Sequence, residues 1–362
     1  MTQIPNYLKQ ILSATNIALI SHKNADTDAL ASAISLRRVL KDNFEIDGKK
    51  LNIDIFTDTH EFSKKDDDLI KNEVINQQTC RKYDLAISLD TANRKLLGCF
   101  DKIFKRAKDT LNIDHHATNT KYAKNNIVAP SCSSTCELLY LIFINSLKIK
   151  CSANTLSVLY SGIITDTNNL TQNIGPQTYK IIDKLMFYTN QNGIDLDKVR
   201  NHYFKSFTRE QNALLARALS SLTYSNNGKI AMMKITKQDF TETNTSQSDT
   251  LGIVDHAVST QGVEVGVIFI KQEDNTYYVS LRSKNHEINV GDIAKELGGG
   301  GHGQMAAFAT KPGDSLTDIK DKITALFNQQ LYKAPADDIS NLFSETQGSG
   351  PNKNEDDAED TL

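Results

Sequence analysis

Four stretches of the chain carry side chains able to hold a divalent cation: His22-x3-Asp26-x-Asp28, Asp90, Asp114-His115-His116 and Asp166. Imidazole suits Mn²⁺, Fe²⁺ or Zn²⁺ and carboxylate suits Mg²⁺ or Mn²⁺. A mixture of the two favours a hard-to-borderline divalent ion over calcium or a thiolate metal. Each stretch alone is a weak signal, because an aspartate ahead of a helix is more often an N-cap, and a lone Asp90 or Asp166 would be a turn residue or cap. Together they carry more weight, since each follows an apolar segment. Burying so many charges without a cation would cost several kcal/mol per ion. Two ions about 3.5–4 Å apart, sharing a carboxylate and a water, fit this ligand number and a hydrolytic mechanism that clamps the attacking and departing oxygens.

Convergence of residues so far apart requires a topology that gathers strand ends. Residues 1–15 read as a short amphipathic helix with Tyr7, Leu8, Ile11 and Leu12 on one side, and Ile17–Ser21 as an apolar strand ending at His22. Ala29–Leu40 then shows a helical apolar pattern with Asp28 near its start. Leu51–Thr57, Asp84–Leu89 and Leu111–Ile113 read as further strands, the last two delivering Asp90 and Asp114-His115-His116. Strands separated by helix-length segments imply a parallel sheet whose carboxyl edge collects the polar ends. Ser131–Leu147, Asn154–Thr165 and Pro176–Thr189 follow as helices; Ser133 or Ser134 is placed to cap the first, and the second leads into Asp166.

The expected architecture is α/β: an N-terminal parallel-sheet domain (1–192) with helices on both faces, and a smaller C-terminal α/β domain (221–335) across a cleft. A helical linker spans 193–220 and a disordered acidic tail 336–362. In the second domain Lys229–Ile235, Val263–Ile270 and Tyr277–Ser283 read as strands and Asp292–Leu297 as a helix. Gly298–Gly301 and His302 come next, before the apolar stretch Met305–Ala309. A run of glycines lets backbone amides approach a phosphate or base, and Arg282 on a nearby strand adds a planar guanidinium fork.

Length and charge narrow the partners. With 362 residues, 39% hydrophobic and 23% charged, the chain suits a soluble protein of two domains. The longest apolar run, Leu138–Ile144, is far short of the ~20 residues a membrane helix needs. The first residues lack a secretory pattern, so the cytosol is the expected compartment. Residues 346–362 hold five acids and one lysine, a sum of −4, so the remainder of a chain at −3 carries −3 − (−4) = +1. A near-neutral body favours a short anionic ligand over a long duplex. The five cysteines, Cys80, Cys99, Cys132, Cys136 and Cys151, are too scattered for a disulfide framework and read as free thiols.

These motifs, in this order and spacing, resemble the DHH phosphoesterase family. Gly298–His302, preceded by Ser280-Leu-Arg282-Ser283, resembles the DHH-associated C-terminal domain. The likeness covers roughly residues 10–330 and is strongest to the oligoribonuclease (nanoRNase) and pAp-phosphatase branch. It departs from the usual pattern at Ala25, where proline is common, and at Thr27, where glycine is frequent; neither change removes a ligand. The resemblance implies two divalent ions, Mn²⁺ preferred. His22, Asp26 and Asp90 would hold one, and Asp28, Asp90, His115 and Asp166 the other, with Asp90 bridging. It implies catalytic roles for His116, facing the scissile phosphate, and Asp114, orienting a histidine. Arg282, Ser283, Gly299, Gly300, Gly301 and His302 would bind substrate.

The implied activity is hydrolysis of short single-stranded oligoribonucleotides to mononucleotides and removal of the 3′-phosphate of 3′-phosphoadenosine 5′-phosphate (pAp). No membrane or long duplex is expected as a partner, and a homodimer is left open. Two alternatives stand beside it: a cyclic- or linear-dinucleotide phosphodiesterase (cyclic di-AMP or pApA), and a non-catalytic nucleotide-binding module. A family inorganic pyrophosphatase fits less well, because such enzymes use a basic clamp where this chain has a glycine-histidine element.

Overall fold

A computed structural model describes residues 6–46, 48–59, 62–71, 73–76, 81–301 and 303–331. Cys80, His302 and the acidic tail at 336–362 lie outside the described residues. The chain forms two compact units, Met1–Phe207 and Thr208–Leu362.

The first unit is built on five parallel strands: β1 (Asn16–Ser21), β2 (Asn52–Phe56), β3 (Leu85–Leu89), β4 (Asp109–Asp114) and β5 (Asn125–Val128). Their spatial order is β2-β1-β3-β4-β5. The chain leaves β1 toward one edge and returns past it to β3, from which it proceeds toward the other. The strand order therefore reverses between β1 and β3, where a crevice opens at the carboxyl edge of a parallel sheet. His22 follows β1 and Asp90 follows β3, so the topology sets them on either side of that crevice.

Strand periodicity sorts the core. Ile17 and Leu19 of β1 face a large apolar layer with Ile53, Ile55, Leu85, Ile87, Leu111 and Ile113, whereas Ala18 and Ile20 join Phe56, Tyr83, Leu97 and Phe104 on the other face. The first layer is closed by α1 (Thr27–Asn43), α2 (Thr135–Leu139), α3 (Ala153–Asp166) and α4 (Pro176–Gln191). The chain continues from α2 through a wide π-helical stretch, Tyr140–Ser146, in place of the single regular helix the sequence suggests. β5 also escapes the sequence reading, because Asn125-Asn126 at an edge, half-buried throughout, leaves no alternating apolar pattern.

α1 packs along α3. At their crossing Gly162 is required, because a Cβ there would run into Cys136 Sγ and Asp28 Oδ1. The stretch 193–220, expected as one helical linker, forms two helices: α5 (Leu196–Lys205) falls in the first unit and α6 (Arg209–Ser220) in the second. Leu196 belongs to the first core and Leu214 and Ala218 to the second unit's.

The second unit has a six-stranded mixed sheet: β6 (Thr223–Ser225), β7 (Ile230–Ile235), β8 (Val265–Lys271), β9 (Tyr277–Ser283), β10 (Gly300–Gly301) and β11 (Met305–Ala309), in the order β10-β11-β9-β8-β7-β6. The glycine run thus forms a two-residue edge strand against β11. Among the described residues no helix is long and apolar enough to cross a membrane.

Replacing Gly162 by alanine is expected to destabilise the first unit by about 1–3 kcal/mol, the usual cost of overpacking, although alanine is the better helix former by about 1 kcal/mol. Urea unfolding measures the difference, and an unchanged or raised midpoint would show that the crossing has room.

Candidate metal centre

The residues singled out in the first unit meet at the carboxyl edge of its sheet. His22 is the first residue beyond β1, Asp26 caps α1 by accepting the Ala29 amide (3.0 Å), and Asp28 sits buried in the first turn. Asp90 follows β3 with φ of 52°, a left-handed backbone that an aspartate tolerates better than a bulky residue does. Its amide still donates to the Ile113 carbonyl (3.0 Å), so the side chain is aimed by the sheet itself. Asp114 ends β4, His115 and His116 follow it, and Asp166 closes α3.

Asp90 lies at the centre. Its Oδ2 is 3.6 Å from His22 Nε2, and its Oδ1 is 3.6 Å from both His115 Nε2 and His116 Nδ1. His22 Nε2 is also 3.8 Å from Asp26 Oδ1, and His115 Nε2 is 3.3 Å from Asp166 Oδ2. Three groups result, His22–Asp26–Asp90, Asp28–His115–Asp166 and Asp90–His115–His116, each with its ligand atoms within 4.8 Å of one another.

The supporting hydrogen bonds select the atoms presented. His22 Nδ1 pairs with the Lys23 carbonyl (2.9 Å) and His115 Nδ1 with the Cys132 carbonyl (3.3 Å). A carbonyl can only accept, so both rings carry a proton on Nδ1 and aim Nε2 at the carboxylates, leaving Nε2 as the atom that would bind a cation once deprotonated. His116 Nδ1 instead bonds Asp114 Oδ1 (2.7 Å), and the fully buried Asp114 takes a second bond from Asn119 Nδ2 through Oδ2. Asp28 accepts the Thr135 amide (2.8 Å) and the Cys136 amide (3.1 Å), and Asp90 Oδ1 accepts the Thr135 hydroxyl (2.9 Å).

Charge is unevenly settled. Burial would raise the Asp90 carboxyl, but the His22 contact and the charges of His116 and His115 outweigh it and hold this group well below the usual carboxylate range. Burial, and then the Asp90 charge, push Asp28 up to about 7. Burial, followed by the charges of Asp28 and Asp90, takes Asp166 well above its ordinary value. Burial opposes protonation of His22 and His115, yet the neighbouring aspartates raise both. Asp166 Oδ2 is buried and makes no hydrogen bond. An oxygen of that kind, in a cluster of carboxylates and imidazoles with no thiolate ligand, fits a hard-to-borderline cation.

Sequence reasoning missed Thr135, Asn119 and the Cys132 carbonyl. Ser134 Oγ is the hydroxyl that caps α2, accepting the Glu137 amide (3.0 Å), so the run Ser133-Ser134-Thr135 held more hydroxyls than a cap requires. That surplus was the available signal. Thr27, where glycine is frequent, donates to buried Asp66 Oδ1 (2.9 Å), which fastens the loop from outside the cluster. Cys132 and Cys136 are buried free thiols, and Cys99 is an exposed one.

The second unit holds the other expected group. Arg282 Nε lies 3.3 Å from Asp255 Oδ1, and its Nη1 donates to the Leu281 carbonyl (3.0 Å) and Ser280 Oγ (3.3 Å). Ser283 is buried; its hydroxyl donates to the Asn285 carbonyl (2.8 Å) and accepts the Asn285 amide (3.1 Å), a local turn that engages it within its own loop. Gly299 and Gly301 cannot carry a Cβ without striking β11, whereas Gly300 faces open space.

The sequence matches the family profile described as DHH family, N-terminal domain, over residues 16–163, and that of the DHHA1 domain over residues 227–329. It is 27% identical over 306 residues to the probable bifunctional oligoribonuclease and PAP phosphatase NrnA of Streptococcus mutans, covering 83% of this chain and 92% of that one. It is likewise 27% identical over 321 residues to the cyclic-di-AMP phosphodiesterase GdpP of Geobacillus thermodenitrificans, covering 84% of this chain but 46% of that protein. An exopolyphosphatase-related protein from Bacteroides fragilis shares the fold, with a TM-score of 0.77 at 20% identity over 89% of this chain and 94% of that one.

Because Asp28 titrates near 7 and His22 and His115 hold protons more tightly than usual, a cation must displace protons to bind at neutral pH. Mn²⁺ affinity is expected to rise with pH, about tenfold per unit for each proton released. Calorimetric titration in buffers of differing ionisation enthalpy counts those protons. Binding with no proton release and no pH dependence would contradict this electrostatic picture.

Proposed function

The chain belongs to the DHH phosphoesterase family, and we propose that it hydrolyses short oligoribonucleotides to mononucleotides and removes the 3′-phosphate of pAp. The observation that carries the reading is the cluster around Asp90, in which buried Asp166 Oδ2 lacks a hydrogen bond. The similarity to NrnA across most of both chains supports the substrate class.

Two divalent cations, Mn²⁺ in preference, would fit this centre: His22, Asp26 and Asp90 would hold one, and Asp28, Asp90, His115 and Asp166 the other. Bound there, they supply Lewis-acid activation of water and neutralise charge on the phosphoryl group. The protein's own groups do the rest. His116, its Nδ1 tied to Asp114, would present Nε2 to the scissile phosphate. Burial opposes protonation of that ring, but the Asp114 hydrogen bond and the Asp90 charge raise it, so Nε2–H can donate to a phosphoryl or departing oxygen. Asn119 on Asp114 keeps the pair in register.

In the second unit, the family resemblance implies substrate contacts at Arg282, Gly299, Gly300, Gly301 and His302; the Gly299 amide itself donates to the Ala294 carbonyl (2.8 Å). The near-neutral body suits a substrate of few phosphates and no long duplex. The same site chemistry also suits linear or cyclic dinucleotides, and the likeness to GdpP keeps that second reading in view.

Asp90→Ala is expected to lose more than about 100-fold of Mn²⁺-dependent turnover on a labelled dinucleotide, beyond the loss typical of a supporting partner. Full turnover by the variant in metal-replete buffer would remove Asp90 from the mechanism. For substrate class, product release from pAp, a short RNA ladder, pApA and cyclic di-AMP is compared. Fastest turnover on short linear RNA and pAp is expected; a clear preference for cyclic di-AMP would favour the second reading, and binding of pAp without any turnover would favour a non-catalytic module.

A further inference from the structure

The segment Cys132–Cys136, which leads from β5 into α2, touches side chains delivered by three other elements. Its Cys132 carbonyl meets His115 Nδ1 (3.3 Å), its Thr135 and Cys136 amides meet Asp28 (2.8 and 3.1 Å), and its Thr135 hydroxyl meets Asp90 Oδ1 (2.9 Å). Thr135 is fully buried and is the residue that bonds both Asp28 and Asp90. Its hydroxyl is not needed by the helix, since Ser134 provides the cap.

The segment is itself immobilised from behind. Buried Glu137 accepts the Ser133 amide (3.1 Å), the Ser133 hydroxyl and the Thr178 hydroxyl (2.9 Å), which pins the loop to α4. Thr135 Oγ1 is therefore held in place independently of the Asp90 side chain it contacts.

We propose that Thr135 is a positioning residue for the metal centre: its hydroxyl fixes the Asp90 carboxylate so that one oxygen faces His22 and the other faces His115 and His116. A carboxylate can only accept, so the Thr135 hydroxyl must donate. With one lone pair of Oδ1 committed, rotation of the carboxylate breaks a buried charge-assisted hydrogen bond. The two oxygens stay divided between the two ligand groups, as a shared carboxylate requires. The Thr135 amide fixes Asp28 in the same frame. This inference rests on the metal-dependent reading above.

The test is Mn²⁺ affinity measured by calorimetry, with the Mn²⁺-induced rise in melting temperature as a second readout that does not depend on turnover. Thr135→Val keeps the branched shape and drops the hydroxyl; Thr135→Ser keeps the hydroxyl and drops a methyl. Thr135→Val is expected to bind Mn²⁺ about 10–100-fold more weakly, with a smaller Mn²⁺-induced shift, while Thr135→Ser stays near the unaltered protein. Under sub-saturating Mn²⁺ the valine variant loses kcat while its KM for pAp changes little, and excess Mn²⁺ restores much of the rate. Wild-type Mn²⁺ affinity in Thr135→Val overturns the proposal, as does an equal loss in Thr135→Ser. Absence of Mn²⁺ binding in the unaltered protein overturns the metal-dependent reading itself.

Discussion

The buried negative charge of Asp90 is the constraint around which the first unit is arranged. Its side chain is 3% exposed, deep enough that an ionised carboxylate needs compensation close by. His22, His115 and His116 supply part of that compensation from two different strand ends. The compensation falls short at Asp28 and Asp166, where burial and the neighbouring carboxylate charges outweigh it and drive both upward. One carboxylate is held ionised while its neighbours resist ionisation, so full deprotonation of the cluster calls for added positive charge. A bound metal cation would satisfy that demand with the ligand types present.

Topology makes the arrangement affordable. The reversal of strand order between β1 and β3 opens the carboxyl edge of the sheet where His22 and Asp90 emerge, and β4 brings His115 and His116 beside them. The helices on that side close the rear: Gly162 lets α3 approach closely enough to carry Asp166 into the cluster, and Asp28 reaches the amides that begin α2. A polar site is thus framed by an apolar layer in which Ile17, Leu19, Ile87 and Ile113 are fully buried. Core packing and ligand placement are consequently the same physical problem here.

The strands β1 to β4 and the helices α1, α3 and α4 were legible because each has a sustained apolar period, and the histidines and aspartates that cluster were legible because they sit where those periods end. β5 was not, since a half-buried edge strand of Asn125–Val128 needs no alternation. The contacts from Cys132–Cys136 to the side chains of His115, Asp28 and Asp90 were hidden for a different reason: three of these four use backbone atoms, which any residue provides, and the fourth is the Thr135 hydroxyl. The reading of 193–220 as one connector grouped α5 with α6, although a shared helical, polar composition says nothing about which core Leu196 or Leu214 joins. Ser283 shows the converse limit, because its hydroxyl is engaged by Asn285 two residues away.

The most direct measurement is anomalous diffraction at the manganese absorption edge from crystals grown with Mn²⁺. The account predicts two peaks about 3.5–4 Å apart, one on each side of the Asp90 carboxylate, the first against His22 and Asp26 and the second against Asp28, His115 and Asp166. Well-ordered crystals with Mn²⁺ present but no peak within reach of Asp90, or with Asp90 directed away from the peaks, would contradict it.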